Sequence, residues 1–188
     1  MNEIKRRPRL GLLAVSLLLC PMTASAQPGA FAKPGLVTSV GQSSDIAIVK
    51  ALLNTKLKMD LEVKPLAQAG DLANARSLIL VVGSSTKGLG AAGLNVEQEM
   101  ARTRSLLKAA RDGGIRILTL HVGGEARRGK TTNDFLDVVV PQSSRVIVVA
   151  AGNKDRFFNT LAAKSGVPIA EAASLAAAGD AVKSLFQQ

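Results

Sequence analysis

Ser77-Leu78-Ile79-Leu80-Val81-Val82, followed at once by Gly83-Ser84-Ser85-Thr86-Lys87-Gly88-Leu89-Gly90, is the stretch on which the fold turns. A strand covered on one face alternates apolar and polar residues, whereas a run that is apolar throughout is a strand held between two layers of helices. Two later runs read the same way, Ile115–Val122 (IRILTLHV) and Arg145–Ala150 (RVIVVA), and two weaker strands are expected at Leu36–Val40 and Met59–Lys64. Helical periodicity fills the intervals. Asp45–Leu57 is one such segment, with Ser43 or Ser44 to cap it. Asn95–Asp112 is the clearest, opened by Asn95 with Gln98 three residues on and stopped by Gly113-Gly114. Shorter helices are expected at Asn133–Val139, at Asn153–Lys164 closed by Gly166, and at roughly Ala173–Phe186, with a turn or two near Asp71–Ala75. Strand–helix alternation of this kind predicts an α/β fold. The expected architecture is a single doubly wound, Rossmann- or flavodoxin-like parallel sheet of about five strands in three α/β/α layers, ordered 2-1-3-4-5.

The chain opens with Lys5, Arg6, Arg7 and Arg9, an apolar run from Leu10 to Leu19, and Ala24-Ser25-Ala26. A basic start, a short apolar core and small residues at the cut are the parts of a secretory signal peptide. The apolar run is about half the roughly twenty residues a membrane-spanning helix needs. Residues 1–26 are therefore expected to be a cleaved bacterial-type leader, 27–35 a flexible Gly/Pro-rich lead-in, and 36–188 one domain, exported to the periplasm or beyond. Arg6-Arg7 suggests twin-arginine export, but Arg9 stands where that signal usually has a bulky apolar residue. Cys20 suggests lipidation, but Leu18-Leu19 precedes it instead of a small residue. General secretion with cleavage after Ala26 is preferred.

Cleavage there removes Cys20, the only cysteine, and leaves His121 as the only histidine. That excludes disulfides, thiol chemistry and multi-histidine metal sites, and no metal or other cofactor is expected. The leader carries four basic residues against Glu3, so the formal charge of +10 for the whole chain falls to +7 for the remainder. A basic exported domain meets anions. With no Trp, no Tyr and five Phe, the chain lacks the aromatic platforms on which single-stranded nucleic acid, sugars or flavin are stacked. Nucleic acid is not an expected partner.

Residues suited to binding gather just after the strand ends. Gly41, Gln42, Ser43 and Ser44 follow the first strand, and Gly83, Ser84, Ser85, Lys87, Gly88 and Gly90 follow the third. His121, Gly123, Gly124, Arg127 and Arg128 end the fourth, and Asn153 follows the fifth. In an open parallel sheet ligands bind outside the carboxyl ends of the strands, where strand order reverses, which here means between the first and third loops. Glycine admits close approach, hydroxyls donate hydrogen bonds, and helix N-termini favour negative charge. The same residues are also ordinary turn and capping chemistry. Gly124-Glu125-Ala126-Arg127-Arg128-Gly129-Lys130-Thr131 matches the phosphate-loop pattern, yet the helix after it stops at Pro141 and the next strand ends without an acid for Mg²⁺. A serine-hydrolase reading, with Ser84 or Ser85 and His121, lacks the second glycine of the nucleophile elbow.

Taken together, SVGQSSD, GSSTKGLGAAG with its Glu/Arg-rich helix, HVGGEARRG and AAGNKD resemble an uncharacterised family of small exported bacterial proteins, a domain of unknown function. The resemblance implies export and an α/β fold, and no activity. The expected role is a binding module for a small anionic molecule, with a transporter or sensor as the partner class and no catalytic residue assigned. The alternatives are a hydrolase or transferase acting through His121 on a phosphate or carboxylate ester, and a non-catalytic protein held to the anionic envelope by its charge.

Overall fold

Six parallel strands form one sheet in the order β2-β1-β3-β4-β5-β6. The computed structural model describes residues 31–186, together with Met1; the expected leader and most of the expected lead-in lie outside the described residues. The strands are β1 (Gly35–Val40), β2 (Glu62–Val63), β3 (Ser77–Val82), β4 (Arg116–His121), β5 (Arg145–Val149) and β6 (Ile169–Ala172). Full-length pairing of β1 with β3, from Gly35 opposite Ser77 to Val40 opposite Val82, puts their ends level at the carboxyl edge. The expected order of the first five strands is observed, and a sixth joins them beyond β5.

Helices cover both faces. On one side Leu78, Leu80, Val82, Val146 and Val148 pack against α3 (Val96–Asp112), α4 (Lys130–Val139) and α5 (Phe157–Ser165) through Leu106, Leu107, Phe135, Leu136 and Phe158. On the other, Val37, Ile79, Val81, Leu118 and Ile147 pack against α1 (Asp45–Lys50), its π-helical continuation Ala51–Lys56, and α6 (Leu175–Leu185). Every residue of β1 and β3 is buried, Thr38 and Ser39 of β1 included, and burial on both faces is why the apolar run of β3 shows no alternation.

Four local expectations are corrected. The Gly83–Gly90 segment is not one long loop: Ser85 caps a helix, α2 (Thr86–Ala91), its Oγ accepting the Gly88 N–H at 3.1 Å. Helix α4 starts at Lys130 instead of Asn133. Helix α5 starts at Phe157, because Asn153 ends a 3₁₀ turn and its Oδ1 accepts the Phe158 N–H at 3.0 Å. The described part of the expected flexible lead-in is tied down. The Phe31 N–H donates to Leu185 O at 3.0 Å and the Ala32 N–H to Ser77 Oγ at 2.8 Å, while the Phe31 ring is buried under the Arg116 guanidinium. By contrast, α3 is capped as expected, with Asn95 and Gln98 each accepting the other's backbone N–H.

Candidate functional site at the carboxyl edge

Beyond the sheet, the chains leaving β1 and β3 remain bonded. The Gly83 N–H donates to Val40 O and the Ser85 N–H to Gly41 O, each at 2.9 Å, and Gln42 bridges Ser84. Gly41 and Gln42 both have positive φ, at 88° and 56°. A side chain at Gly41 would run into the Gly83 carbonyl oxygen, so only glycine allows this approach. The strained turn is held from below by Glu99 of α3. Glu99 Oε1 accepts the Gly41 N–H at 2.9 Å and Gln42 Nε2 at 3.0 Å. Arg102, one turn on, donates to both Glu99 oxygens at 2.7 Å and to the carbonyls of Ser39 and Ala67. This ion pair is buried in full and is absent from the sequence-derived site. Its signal was present: Glu99 and Arg102 fall among Thr103, Leu106 and Ala110 on the buried side of α3, where a charge needs a partner.

Asp45 lies at the centre of the crevice. It opens α1, and its side chain is 3 % exposed. Oδ1 accepts Arg127 Nε at 3.3 Å, while Arg127 Nη2 donates to Ser44 Oγ at 2.9 Å. Oδ2 is buried and has no hydrogen-bond partner. Gly83 and Gly123 flank it: a Cβ on Gly83 would lie 3.0 Å from both Oδ2 and Ser43 Oγ, and one on Gly123 would collide with Oδ2 and with the Arg127 side chain. Arg127 thus crosses from the β4 loop to the β1 loop over a carboxylate walled by glycines. As a sequence feature Asp45 is a first-turn acid that complements the helix dipole, an ordinary role that hides this one.

His121 ends β4 fully buried. Nδ1 lies 2.8 Å from Val82 O and Nε2 3.3 Å from Gly124 O, the ring packs 5.2 Å from Phe158, and Gly152 presses on its far edge. Burial pushes its pKa below the usual histidine value; the two carbonyls and the Asp45 charge oppose that, and Arg128 adds to it. Its ring nitrogens face backbone carbonyls, not the hydroxyls of Ser84 or Ser85, so the geometry gives a serine nucleophile no base.

The predicted residues divide into three groups: the crevice, the β5 loop and α2. Gly41, Gln42, Ser43, Ser44, Gly83, Ser84, Gly123 and Arg127 meet at the β1–β3–β4 crevice, where the Ser84 N–H is held by Thr132 Oγ1 at 3.0 Å. Gly124, Arg128 and Asn153 belong with the β5 loop. Arg128 donates to both Asp155 oxygens at 3.1 and 3.0 Å and to Gly152 O at 2.6 Å, and stacks 4.8 Å from the Phe157 ring. That bond holds the Asp155 carboxyl below the usual carboxylate range. A cleft of about 190 Å³ lies here, lined by Glu125, Arg128, Gly152, Lys154 and Asp155, with Glu125 and Lys154 paired at 2.8 Å. Ser85 is spent on capping α2, and Lys87 and Gly90 are exposed on that helix. Gly88 is required by packing, because a Cβ there would collide with the Gln42 carbonyl oxygen.

The profile of a family described as a domain of unknown function (DUF6305) matches residues 32–186. The chain belongs to this family. No curated protein matches it. The DUF6305 match covers all six strands and both helical layers, from the point where Phe31 and Ala32 bond into the fold to the end of α6. Among the described residues of this DUF6305 chain there is no cluster of three metal-ligating side chains, and no helix is long and apolar enough to cross a membrane. The phosphate-loop match departs from that motif in structure: Glu125–Arg127 forms a 3₁₀ turn, and the Lys130 ammonium points to solvent and pairs with Asp134 at 2.8 Å.

Proposed function

We propose that this DUF6305 protein is an exported, non-catalytic module that binds a small anionic molecule in the crevice between the loops after β1, β3 and β4, as an accessory to transport or sensing. The observation that carries the reading is Arg127. Its guanidinium spans the point where strand order reverses, is held by only Ser44 and Asp45 among the described residues, and has a third of its side chain in solvent. The other paired cations of this edge face acids outside the crevice: Arg128 meets Asp155, Lys130 meets Asp134 and Lys154 meets Glu125. A guanidinium beside serine hydroxyls and glycine backbone is well suited to a carboxylate or phosphate, and the exposed Lys87 sits in the first turn of α2, the helix that follows the β3 loop.

A thermal-shift screen of phosphates, carboxylates and sulfonates tests the binding. At least one class should stabilise the wild type, with the response lost in Arg127→Gln and weakened in Lys87→Ala. Identical responses in all three proteins would refute the site. Export is tested separately, by N-terminal mass analysis of envelope-fraction protein, which should begin at Gln27. A species starting at lipidated Cys20 or retaining Met1 would refute that assignment.

A further inference from the structure

Nearly every buried polar group in a folded protein finds a hydrogen-bond partner, and a buried carboxylate oxygen without one is costly. Among the described residues, Asp45 Oδ2 is the only carboxylate oxygen in that condition. The surroundings keep it so. The nearest groups on two sides are Gly83 and Gly123, which have no side chain to offer, and any side chain at either position would occupy the space beside Oδ2. The Ser43 hydroxyl nearby accepts the Asp45 N–H at 3.3 Å and makes no hydrogen bond to Oδ2. Above lies Arg127, whose hold on Asp45 is a single hydrogen bond to the other oxygen, and whose backbone follows Gly123-Gly124, the latter at φ 62°. Lifting one partly exposed side chain uncovers the carboxylate.

We infer that the ligand of this crevice carries a hydrogen-bond donor, hydroxyl or ammonium, one or two bonds from its acid group. Asp45 Oδ2 accepts that donor while Arg127 takes the acid. The inference rests on the crevice being the binding site. It narrows the ligand to hydroxy acids and amino acids, in which donor and acid are as close together as Asp45 and Arg127 are here. The charge account favours the same class: an acid alone would lie against the Asp45 carboxylate, whereas a donor placed between them shields one from the other.

Matched acids separate the possibilities. Binding of alanine, lactate and propionate, of aspartate, malate and succinate, and of gluconate and hexanoate is measured by calorimetry on the purified protein. The donor-bearing members of at least one set should bind ten-fold or more tightly than the plain acid. Alanine against lactate, and aspartate against malate, then tell ammonium from hydroxyl. Asp45→Asn and Asp45→Ala, two variants in case one fails to fold, should erase the preference while leaving weak acid binding, and Arg127→Gln should abolish both. Plain acids binding as tightly as their substituted partners, or a preference that survives at Asp45→Ala, would overturn the inference and leave the crevice reading standing. If no acid of any set binds, the inference fails; the crevice reading fails as well if phosphates and sulfonates also leave the wild type unshifted.

Discussion

Replacing Glu99 by methionine should be among the most damaging single changes in the protein. Glu99 and Arg102 have side chains 0 % and 4 % exposed, and Glu99 receives hydrogen bonds from Gly41, Gln42 and, twice, Arg102. Methionine fills similar volume but strands the Arg102 guanidinium in the core with only two backbone carbonyls. Breaking a buried pair from one side costs about 3–5 kcal/mol. The Gly41 N–H, also left unpaired, adds on the order of 1 kcal/mol. A domain of this size is stable by roughly 5–15 kcal/mol, so the variant should fold but marginally. In urea, with m near 2 kcal/mol/M, the midpoint should fall by roughly 2–3 M. The decisive comparison is Glu99→Met with Arg102→Met in one chain. Removing both charges leaves no buried ion, so the double variant should be more stable than Glu99→Met alone, because apolar replacement of a buried ion pair is often close to neutral. A loss below about 1 kcal/mol for the single variant, or a double variant as unstable as the two singles summed, would refute the argument that this pair pins the strained Gly41-Gln42 turn.

Two glycines of α2 should respond with opposite signs. Gly88→Ala drives a methyl into the Gln42 carbonyl oxygen and should cost about 1–3 kcal/mol, whereas Gly90→Ala meets nothing within 4 Å and should stabilise by roughly 0.5–1 kcal/mol, both read by urea midpoint. Because the folded pKa of His121 is lowered, the unfolded chain takes a proton that the folded chain refuses. Stability should be complete above about pH 6.5 and fall as pH drops from there towards the folded pKa, by at most about 1.4 kcal/mol per pH unit. It is the only histidine, and the lowered carboxyls of Asp71, Asp112, Glu125 and Asp155 act at more acid pH, so His121→Asn should flatten the slope between pH 5 and 6.5; an unchanged slope would refute the assignment. Calorimetric titration with ATP and Mg²⁺ should show no specific binding, and saturable binding lost in Lys130→Ala would show that the outward, Asp134-paired lysine of this structure is not its working position.

Residue order alone was enough for the layers and for most of the sheet. Ser77–Val82 and Arg145–Val149 are apolar on both faces, which nothing but burial between helices accommodates, and short strand–helix alternation leaves few ways to wind them. The Asn95–Gln98 capping box and the left-handed Gly166 that ends α5 were legible for the same reason: their partners are three or four residues away. Strand β6 was not legible. Ile169-Ala170-Glu171-Ala172 is short, half exposed and poor in strand-forming residues, and it is extended because β5 offers it a free edge. Nor was α2: its glycines disfavour a helix locally, and the contact that requires Gly88, with the Gln42 carbonyl oxygen, comes from a residue remote in sequence. The candidate site divides along the same line. Its place, at the strand ends where order reverses, follows from local pattern and topology. Its chemistry depends on pairs remote in sequence, Arg127 with Asp45 at a separation of 82 residues and Glu99 with Gly41 at 58. A buried charge is paired by whatever the fold brings beside it, and local periodicity carries no record of that neighbour.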